Sequence, residues 1–472
     1  MFIKTGIPKQ ELLFSNKALL QLILPLIIEQ LLNITLGIAD IVMVASLGEA
    51  SVSGVSLVDA INLLLTQIFT ALGTGGAVVA AQYIGRQDGK MAARTAKQLI
   101  YTVLFASFVV MTLGLLFHTP LLRFVFGQIE ADVMTASQRY FVITMLGLPG
   151  IALYSGCAAL FRAQGNSRVS MLIAVLINIL NIGGNALFIY GLHWGVEGVA
   201  LPTFISRTAA AVILMVLLYR DTDSQHDAKA MISIKGITKV EIDFSLIKKI
   251  LSIGIPNGLE NSSFQIGKVL VLSIISTYGT IAIAANAAAN TLASFECLPG
   301  QAIGLAMLTV VGQCIGANRT DQAVYYTKKM MGMAYFFMWV LNIPLLLNAH
   351  FLLSFYHLSP ETTRLALYTG VWHGCCALLF WPPSFTLPNA LRAANDAGYT
   401  MIVALLSMWI VRVGVSYLFK ATDLFGFVAF MKWPAAYGAV GVWVAMILDW
   451  IVRDFAFILR FAHGKWKNRH LI

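Results

Sequence analysis

Carboxylate and amide side chains interrupt the first long apolar segment of this chain, LPLIIEQLLNITLGIADIVMV. Asn33 and Asp40 follow Glu29 by 4 and 11 positions, and a helix turns about 100° per residue, so all three lie within roughly 40° of one another. A carboxylate can take up a proton or bind a cation, and it is costly to bury without a partner. About 16 Å of helix separates Glu29 from Asp40. We therefore predict one inward-facing polar stripe with two separate sites, the alternative being carboxylates satisfied by neighbouring backbone groups.

Three asparagines share one face of a second apolar segment, NILNIGGNALFIYG. Asn178, Asn181 and Asn185 stand at i, i+3 and i+7. An amide oxygen is a hard ligand that suits a small cation, and the amide nitrogen can donate to a carboxylate. The alternative is hydrogen bonding between helices, which asparagines commonly perform inside membranes.

A third polar group lies around a proline in GIPNGLENSSFQIGK. Pro256 frees backbone groups of a helix, and Asn257, Glu260 and Asn261 lie close to it, which suits binding of a cation or a basic ligand. Lys268 lies eight positions after Glu260, roughly 80° around the helix. The two side chains therefore also fit a structural ion pair.

Further polar positions have open roles. Asp59 and Asn290 are separated by 231 positions, and Glu296 follows Asn290 in the same segment. We consider Asp59 a position near outer water and Glu296 a contact for a cationic ligand, each with packing as the alternative.

Familiar catalytic and metal-binding patterns are missing from the sequence. The run GTGGA lacks the Lys and Ser/Thr of a phosphate-binding loop and lies in an apolar segment, so it indicates close helix packing. The five cysteines lack CxxC spacing and are predicted to be small buried apolar residues: Cys157, Cys297, Cys314, Cys375 and Cys376. We predict no enzyme, no cofactor, no bound metal and no ATP hydrolysis, so an ion gradient would have to drive any active process.

Composition shows which elements must position these groups. Of 472 residues, 58% are apolar and 11% charged, whereas soluble domains have roughly 25% charged residues. A soluble globular protein is excluded. Apolar segments of about 20 residues are long enough for helices to cross a bilayer. We predict an all-α membrane protein with twelve transmembrane helices, centred near residues 31, 66, 106, 148, 181, 208, 262, 296, 340, 378, 410 and 447.

Basic residues predict the orientation of these spans. Most lie in the N-terminus, the even-numbered connections and the C-terminus, and the odd-numbered connections hold only Arg123, Arg139, Arg364, Lys420 and Lys432. Lys and Arg favour the cytoplasmic side, so both termini are predicted to be cytoplasmic. This distribution explains the net charge of +10 better than nucleic-acid binding does. No removable signal peptide is predicted in residues 1–16.

The two halves of the chain are similar to each other at an offset of 231 positions. The matches include Pro25 with Pro256, Glu29 with Glu260, Gln82 with Gln313 and Gly85 with Gly316. Six spans is an even number, so the halves are predicted to be parallel repeats. We predict an N-lobe at 1–219 with spans 1–6, a cytoplasmic linker at 220–246, and a C-lobe at 247–472 with spans 7–12.

The order and spacing of several motifs resemble the multidrug and toxic compound extrusion (MATE) family. They are LPLIIEQLL with GIADIVMVASLG, GTGGAVVAAQYIGRQD, FRAQGNSR, NILNIGGNALFIYG, ALRAANDAGYTM and RFAHGKWKN. The resemblance implies a two-lobed, V-shaped antiporter of twelve helices that exports lipophilic, often cationic compounds in exchange for H⁺ or Na⁺.

The resemblance also implies roles for individual residues. It places a proton- or cation-binding role on Asp40, and it places Glu260 at an acidic position of the second lobe. Asn181 matches a family asparagine, but Asn185 stands where many members have aspartate. A span-ten carboxylate of sodium-driven members is also missing, since that region reads FWPPSFTLPNALR. These departures favour H⁺ over Na⁺.

We predict an ion-coupled exporter of small lipophilic cations in a bacterial inner membrane, with no obligate protein partner. The cation-coupling candidates are Asp40, Asn181, Asn185 and Glu260, and the substrate-cavity candidates are Glu29, Asp59, Glu296 and Lys268. The first alternative is a lipid-linked oligosaccharide flippase, which would need a strongly basic cavity. Only Lys268, Arg207 and Arg412 lie within predicted spans, against at least five acids. A membrane enzyme or receptor would need a catalytic cluster or a large extramembrane domain.

Overall fold

The computed structural model describes residues 8–127, 129–220, 232–424, 426, 428, 431–432, 434–469 and 471–472. Residues 221–231 of the predicted linker lie outside the described residues. The helices are α1 (Asn16–Ala45), α2 (Glu49–Gly85), α3 (Gly89–Leu116), α4 (His118–Phe126), α5 (Ala131–Leu146), α6 (Leu148–Ala163), α7 (Ser167–Ala186), α8 (Glu197–Arg220), α9 (Phe244–Ser276), α10 (Thr280–Gly316), α11 (Thr320–Leu347), α12 (Ala349–Ser354), α13 (Pro360–Trp381), α14 (Leu387–Ala393), α15 (Ala397–Leu406), α16 (Val415–Ala421) and α17 (Val440–His463).

Each predicted span corresponds to one helix or to a broken helix. Span four is α5 and α6, which bend by 46° at Gly147. Spans five, ten and eleven each contain a π-helical turn: Leu187–Gly191, Pro382–Thr386 and Ser407–Gly414. Pro382 and Pro383 lack the backbone N–H groups that a regular helix needs, which explains the turn in span ten. The predicted all-α membrane fold of twelve spans in two repeats is confirmed.

Apolar length alone identifies most of these spans. Among the described residues, eight helices are long and apolar enough to cross a membrane, and the bent pair α5 and α6 passes the same test together. The other spans carry polar groups at mid-length, such as Glu260 and Lys268 in α9 and Asp449 and Arg453 in α17. These groups lower the hydropathy of helices that pack inside the protein.

The internal repeat predicted from sequence is visible in the helix bounds. Glu49–Gly85 and Thr280–Gly316 are separated by 231 positions at both ends, as are Gly89–Leu116 and Thr320–Leu347. The turns before α2 and α10 also match, because Gly48 and Gly279 both have φ of 92°. That left-handed conformation suits glycine, which has no Cβ to clash. The two halves are therefore structural repeats.

Side-chain caps fix where several helices begin. Ser15 Oγ accepts from Ala18 N–H at 3.1 Å at the start of α1, and Asp88 Oδ1 accepts from Met91 N–H at 3.0 Å at the start of α3. These oxygens satisfy backbone donors that have no partner in the first helical turn. Short polar connections in the sequence thus end one span and begin the next.

The chain divides into two compact units. The N-terminal unit comprises Phe14–Gly258 and Gly312–Asn318, and the C-terminal unit comprises Leu259–Val311, Arg319–Leu471 and the described residues before Phe14. Val58 and Phe141 are fully buried in the apolar core of the N-terminal unit. Trp381, Trp443 and Trp450 line one core of the C-terminal unit. The lobe boundaries expected at 219, 220–246 and 247 stay predictions.

A reciprocal backbone contact of repeat-related residues lies within the N-terminal unit. A Cβ on Gly85 would collide with the backbone of Gln313, and a Cβ on Gly316 would collide with the backbone of Gln82. Each glycine thus allows two helices to approach at backbone distance. The matches that reveal the repeat in the sequence also meet in space.

Burial of the cysteines agrees with the sequence except at one position. Cys157, Cys297, Cys314 and Cys376 are buried. Cys375 is exposed, so the prediction of a small buried residue is wrong there. It lies in α13, next to buried Cys376.

Candidate functional site

A chain of hydrogen bonds connects α1, α7 and α8 in the N-terminal unit. Asn185 Nδ2 donates to Asp40 Oδ1 at 2.7 Å and to Asn181 Oδ1 at 3.1 Å. Asn181 Nδ2 in turn donates to Thr203 Oγ1 at 2.8 Å. Asn185 is fully buried and Asn181 is 1% exposed, whereas Asp40 is half-buried. The predicted coupling residues of this unit therefore form one network, which we call the Asp40 network (Asp40, Asn181, Asn185 and Thr203).

Charged groups surround the Asp40 network. Asp59 and Arg207 lie near enough to Asp40 to interact with it electrostatically. Asp59 is exposed and accepts a hydrogen bond from Tyr140 Oη at 3.0 Å. Asp59, predicted as a cavity residue, is thus an exposed neighbour of the Asp40 network.

Two predicted polar positions stay outside the network. Asn178 Nδ2 donates to Ala174 O of its own helix at 2.9 Å. Asn33 is exposed, so the predicted inward-facing stripe on α1 is wrong at this position. The helical period placed Asn33 on the same side as Glu29, but the neighbouring helices do not cover that part of α1.

The Asp40 network can change its hydrogen bonds with its proton content. An ionised Asp40 accepts from the Asn185 amide nitrogen, as the geometry shows. A proton on that carboxylate oxygen makes it a donor, which requires an acceptor in place of the amide nitrogen. Asn185 Oδ1 is buried and has no hydrogen-bond partner among the described residues, so rotation of the amide would supply that acceptor. Proton binding at Asp40 would thus change which atom of the Asn185 amide faces the carboxyl group.

Glu29 belongs to a separate buried ion pair. Arg162 Nη1 lies 3.0 Å from Glu29 Oε1, and Ser170 Oγ donates to Glu29 Oε2 at 2.6 Å. The Glu29 side chain is 5% exposed and the Arg162 side chain 13%. A carboxylate with these partners holds α1 against α6 and α7, which supports packing over ligand binding.

Glu260 also forms a buried ion pair, but not with the lysine that the sequence suggested. Arg392 Nη2 lies 2.6 Å from Glu260 Oε1, and the two side chains are 10% and 11% exposed. Arg392 Nη1 donates to Asn389 Oδ1 at 2.9 Å. The predicted alternative of a pair between Glu260 and Lys268 is therefore wrong. Arg392 reaches Glu260 from α14, a contact between helices that the helical period of α9 alone does not reveal.

The two ion pairs are counterparts in the repeat. Glu29 and Glu260 each lie four residues after the helix proline, Pro25 or Pro256, and are related by the offset of 231. Their partners Arg162 and Arg392 end α6 and α14 at nearly the same offset. Each unit thus contains one buried carboxylate and guanidinium pair at the same position of its fold.

Lys268 lies beside other cations. Its Nζ is 4.9 Å from the ring centroid of Phe264, and Arg412 Cζ is 5.1 Å from the same centroid. Arg453, counted from the sequence as part of the C-terminal tail, lies in α17 and is 2% exposed. The expectation that only three basic residues lie within spans is therefore wrong.

Glu296 is fully buried and bonded to a histidine. Its Oε2 forms a very short contact with His373 Nδ1, and the His373 ring packs against Trp443 and Trp450. Asn290, earlier on the same helix, is exposed. Glu296 is thus buried beside a histidine that packs against two tryptophans, unlike the open position expected for a cargo contact.

Sequence reasoning missed most partners of the predicted residues. These are Arg162, Ser170, Thr203, Tyr140, Arg392 and His373. Arg162 and Arg392 carried a usable signal, because FRAQG and LRAAN fall at nearly the repeat offset. Both were instead interpreted as charges of cytoplasmic connections.

The repeat and the polar groups enclosed between long apolar helices define a membrane transporter of the two-repeat class. The model of the MatE family matches residues 25–187 and 256–418, two ranges displaced by the same 231 positions. The chain belongs to the MatE family.

Similar proteins agree with this membership over nearly the whole chain. A probable multidrug resistance protein NorM of Thermotoga maritima is 25% identical, with 99% of this chain and 97% of the relative covered. The uncharacterized transporter YisQ of Bacillus subtilis is 25% identical, with 96% and 94% covered.

Solved structures show the same fold. The crystal structure of MATE in complex with MaL6 has a TM-score of 0.85 at 19% identity, covering 95% of this chain and 97% of that one. A MOP superfamily transporter from Pyrococcus furiosus, described as having a binding pocket of reverse polarity, has a TM-score of 0.84 at 19% identity, covering 95% and 96%.

Proposed function

We propose that this protein is a proton-coupled antiporter that exports small lipophilic compounds, mostly cationic, across a bacterial inner membrane. Family membership and the multidrug resistance relatives support export of small molecules. The bacterial relatives and the distribution of Lys and Arg support an inner membrane with both termini cytoplasmic.

The Asp40 network carries this proposal. Asp40 is the carboxylate whose hydrogen-bond partner, Asn185, can donate or accept according to how its amide is turned. Protonation at Asp40 would favour one arrangement of α1 and α7, and cargo would favour the other. Differential affinity of proton and cargo for the two arrangements is what couples their movements.

The contacts of Asn185 support H⁺ rather than Na⁺ as the coupling ion. A sodium site needs several oxygen ligands, but Asn185 presents its nitrogen to Asp40 and to Asn181. Asp59 Oδ1 accepts a hydrogen bond from Tyr140 Oη at 3.0 Å. A proton requires only one oxygen of Asp40.

Energetics are compatible with a cationic cargo. Exchange of one monovalent cation for one H⁺ moves no net charge, so a membrane potential, worth about 2.3 kcal/mol per charge per 100 mV, does not oppose it. A lipid-linked oligosaccharide flippase is not favoured, because the family model and the relatives are those of multidrug transporters.

Reconstitution tests the proposal. Purified protein in proteoliposomes should export a cationic dye under an imposed pH gradient with Na⁺ equal on both sides. Asp40→Asn should abolish this export while the protein still folds. Asp132→Asn is the matched control, because Asp132 is an exposed carboxylate at the start of α5. Wild-type rates in Asp40→Asn would refute the assignment, and export that needs a Na⁺ gradient would refute proton coupling.

A further inference from the structure

Three cations surround one aromatic ring in the C-terminal unit. Lys268 Nζ, Arg412 Cζ and Arg453 Cζ lie 4.9, 5.1 and 5.7 Å from the centroid of Phe264. An aromatic face attracts a cation, but one ring does not offset three positive charges. Like charges at this spacing repel one another, so an acid would be expected between them.

Asp449 contacts mainly one of these cations, Arg453. Its Oδ1 lies 2.8 Å from Arg453 Nε and also receives a very short hydrogen bond from Ser407. The nearest contact of Arg412 with Asp449 is longer, at 3.9 Å. The Arg412 side chain is only 9% exposed. Its Nε is buried and has no hydrogen-bond partner among the described residues. Arg412 thus retains an unused donor in a nearly buried guanidinium.

Lys268 lacks an acidic partner altogether among the described residues. It is exposed, and its electrostatic neighbours are Arg412 and Cys297 rather than a carboxylate. Three other carboxylates within the helices of this unit have partners elsewhere: Glu260 contacts Arg392, Glu296 contacts His373 and Asp454 accepts from Ser384. Asp449, which lies closer to Arg453, is thus the one carboxylate found near Lys268, Arg412 and Arg453 among the described residues, and it does not balance their three positive charges.

We propose that Lys268 and Arg412 bind the anionic group of an amphipathic aromatic compound, a carboxylate or a sulfonate. Arg412 Nε would donate to the anion, and the Lys268 ammonium would approach from the exposed side. Phe264 lies beside both cations. Trp409, which is 40% exposed, donates its indole N–H at 2.7 Å to Ser263 Oγ, on the same helix as Phe264. These rings would cover the apolar part of the ligand.

This inference rests on the proposed export function, because it adds aromatic anions to the cargo class. It does not depend on Asp40, on a gradient or on movement of the helices. Equilibrium binding therefore tests it separately from transport.

Two pyrene compounds that differ in charge are suitable probes. Purified protein in nanodiscs of phosphatidylcholine is titrated with 1-pyrenesulfonate and with 1-pyrenemethylammonium, and energy transfer from tryptophan to pyrene reports binding after subtraction of empty nanodiscs. Wild type should bind the sulfonate more tightly. Lys268→Gln should weaken sulfonate binding about tenfold, the effect of about 1.4 kcal/mol, without weakening the ammonium compound.

Two further variants separate charge from shape. Lys268→Arg retains the positive charge and should retain sulfonate binding. Lys329→Gln is the matched control. Lys329 Nζ lies 5.3 Å from the ring centroid of Tyr325, four residues earlier, just as Lys268 lies near the ring of Phe264, four residues earlier. It should bind both compounds as wild type does.

The outcomes are distinct. Sulfonate binding that is unchanged in Lys268→Gln, or equally weak in Lys268→Arg and Lys268→Gln, would overturn the site. The site would also be overturned if wild type preferred the ammonium compound. If the binding pattern holds but wild type shows no gradient-driven export, the proposed function fails while the anion site stands.

Discussion

The ion pair of Glu260 with Arg392 provides the sharpest test of what a buried carboxylate does in this protein. Glu260→Gln preserves the shape of the side chain and removes its charge. Arg392 then keeps Asn389 Oδ1 at 2.9 Å but loses the carboxylate at 2.6 Å. With a side chain only 10% exposed, the guanidinium has little water to replace that partner.

The size of the effect follows from this burial. Removing one partner of a buried ion pair typically costs about 3 to 5 kcal/mol, because the other charge is left unpaired. Replacing both partners by apolar residues of similar volume is often nearly neutral. We therefore expect Glu260→Gln to be clearly destabilised and the double variant Glu260→Met with Arg392→Met to recover most of that loss.

Thermal unfolding in detergent and dye efflux from cells measure the two possible roles. Arg139→Gln serves as the control for an ion pair in water, because Arg139 and Glu197 are 3.2 Å apart with side chains 63% and 31% exposed. Such pairs contribute about 0 to 1 kcal/mol, so this variant should unfold close to wild type.

Efflux in the double variant decides whether Glu260 acts only in packing. Recovery of both stability and efflux would exclude Glu260 as a coupling residue and leave Asp40 as the only acidic coupling candidate. Recovery of stability without efflux would support a transport role for the carboxylate. Our reasoning about the ion pair is refuted if Glu260→Gln unfolds at the wild-type temperature, or if the double variant is less stable than the single one.

Further variants test the repeat and the Asp40 network. Asn185→Asp places a second carboxylate beside Asp40, where the amide nitrogen now lies 2.7 Å from Asp40 Oδ1. This variant should make export responsive to a Na⁺ gradient at equal pH. Export that stays independent of Na⁺ would contradict the role assigned to this amide. Gly316→Ala would place a Cβ against the backbone of Gln82 and should lower the free energy of unfolding by about 1 to 3 kcal/mol. Gly332→Ala is the control, because a Cβ at Gly332 would meet no atom within 4 Å, and it should be neutral or stabilising in thermal unfolding. Equal melting temperatures for these two glycine variants would show that the close helix contact is not needed.

Local patterns were sufficient to predict the architecture. Span length and apolar content depend on neighbouring residues, and the offset of 231 is a property of the sequence that needs no coordinates. The match of Glu49–Gly85 with Thr280–Gly316 confirms that offset in the helix bounds. The sequence could not show where every span breaks into a π-helical turn, because only Pro382–Thr386 of the three turns contains proline.

Prediction of the candidate site was less complete. The asparagine spacing correctly placed Asn181 and Asn185 on one face, and both belong to the network with Asp40. The same period placed Asn33 with Asp40, yet Asn33 is exposed. A helical period states which residues share a face but not which part of that face a neighbouring helix covers.

The sequence by itself determined the membrane class, the number of spans, the repeat and the polar residues that need partners. Only the tertiary structure decided the partners. Arg392 rather than Lys268 pairs with Glu260, and Lys268 lies beside Arg412, whose contact with Asp449 is 3.9 Å long. The physical reason is that spans and repeats follow from the order of residue types along the chain. An ion pair between helices depends on their relative register and rotation, which many weak packing contacts along both helices set together.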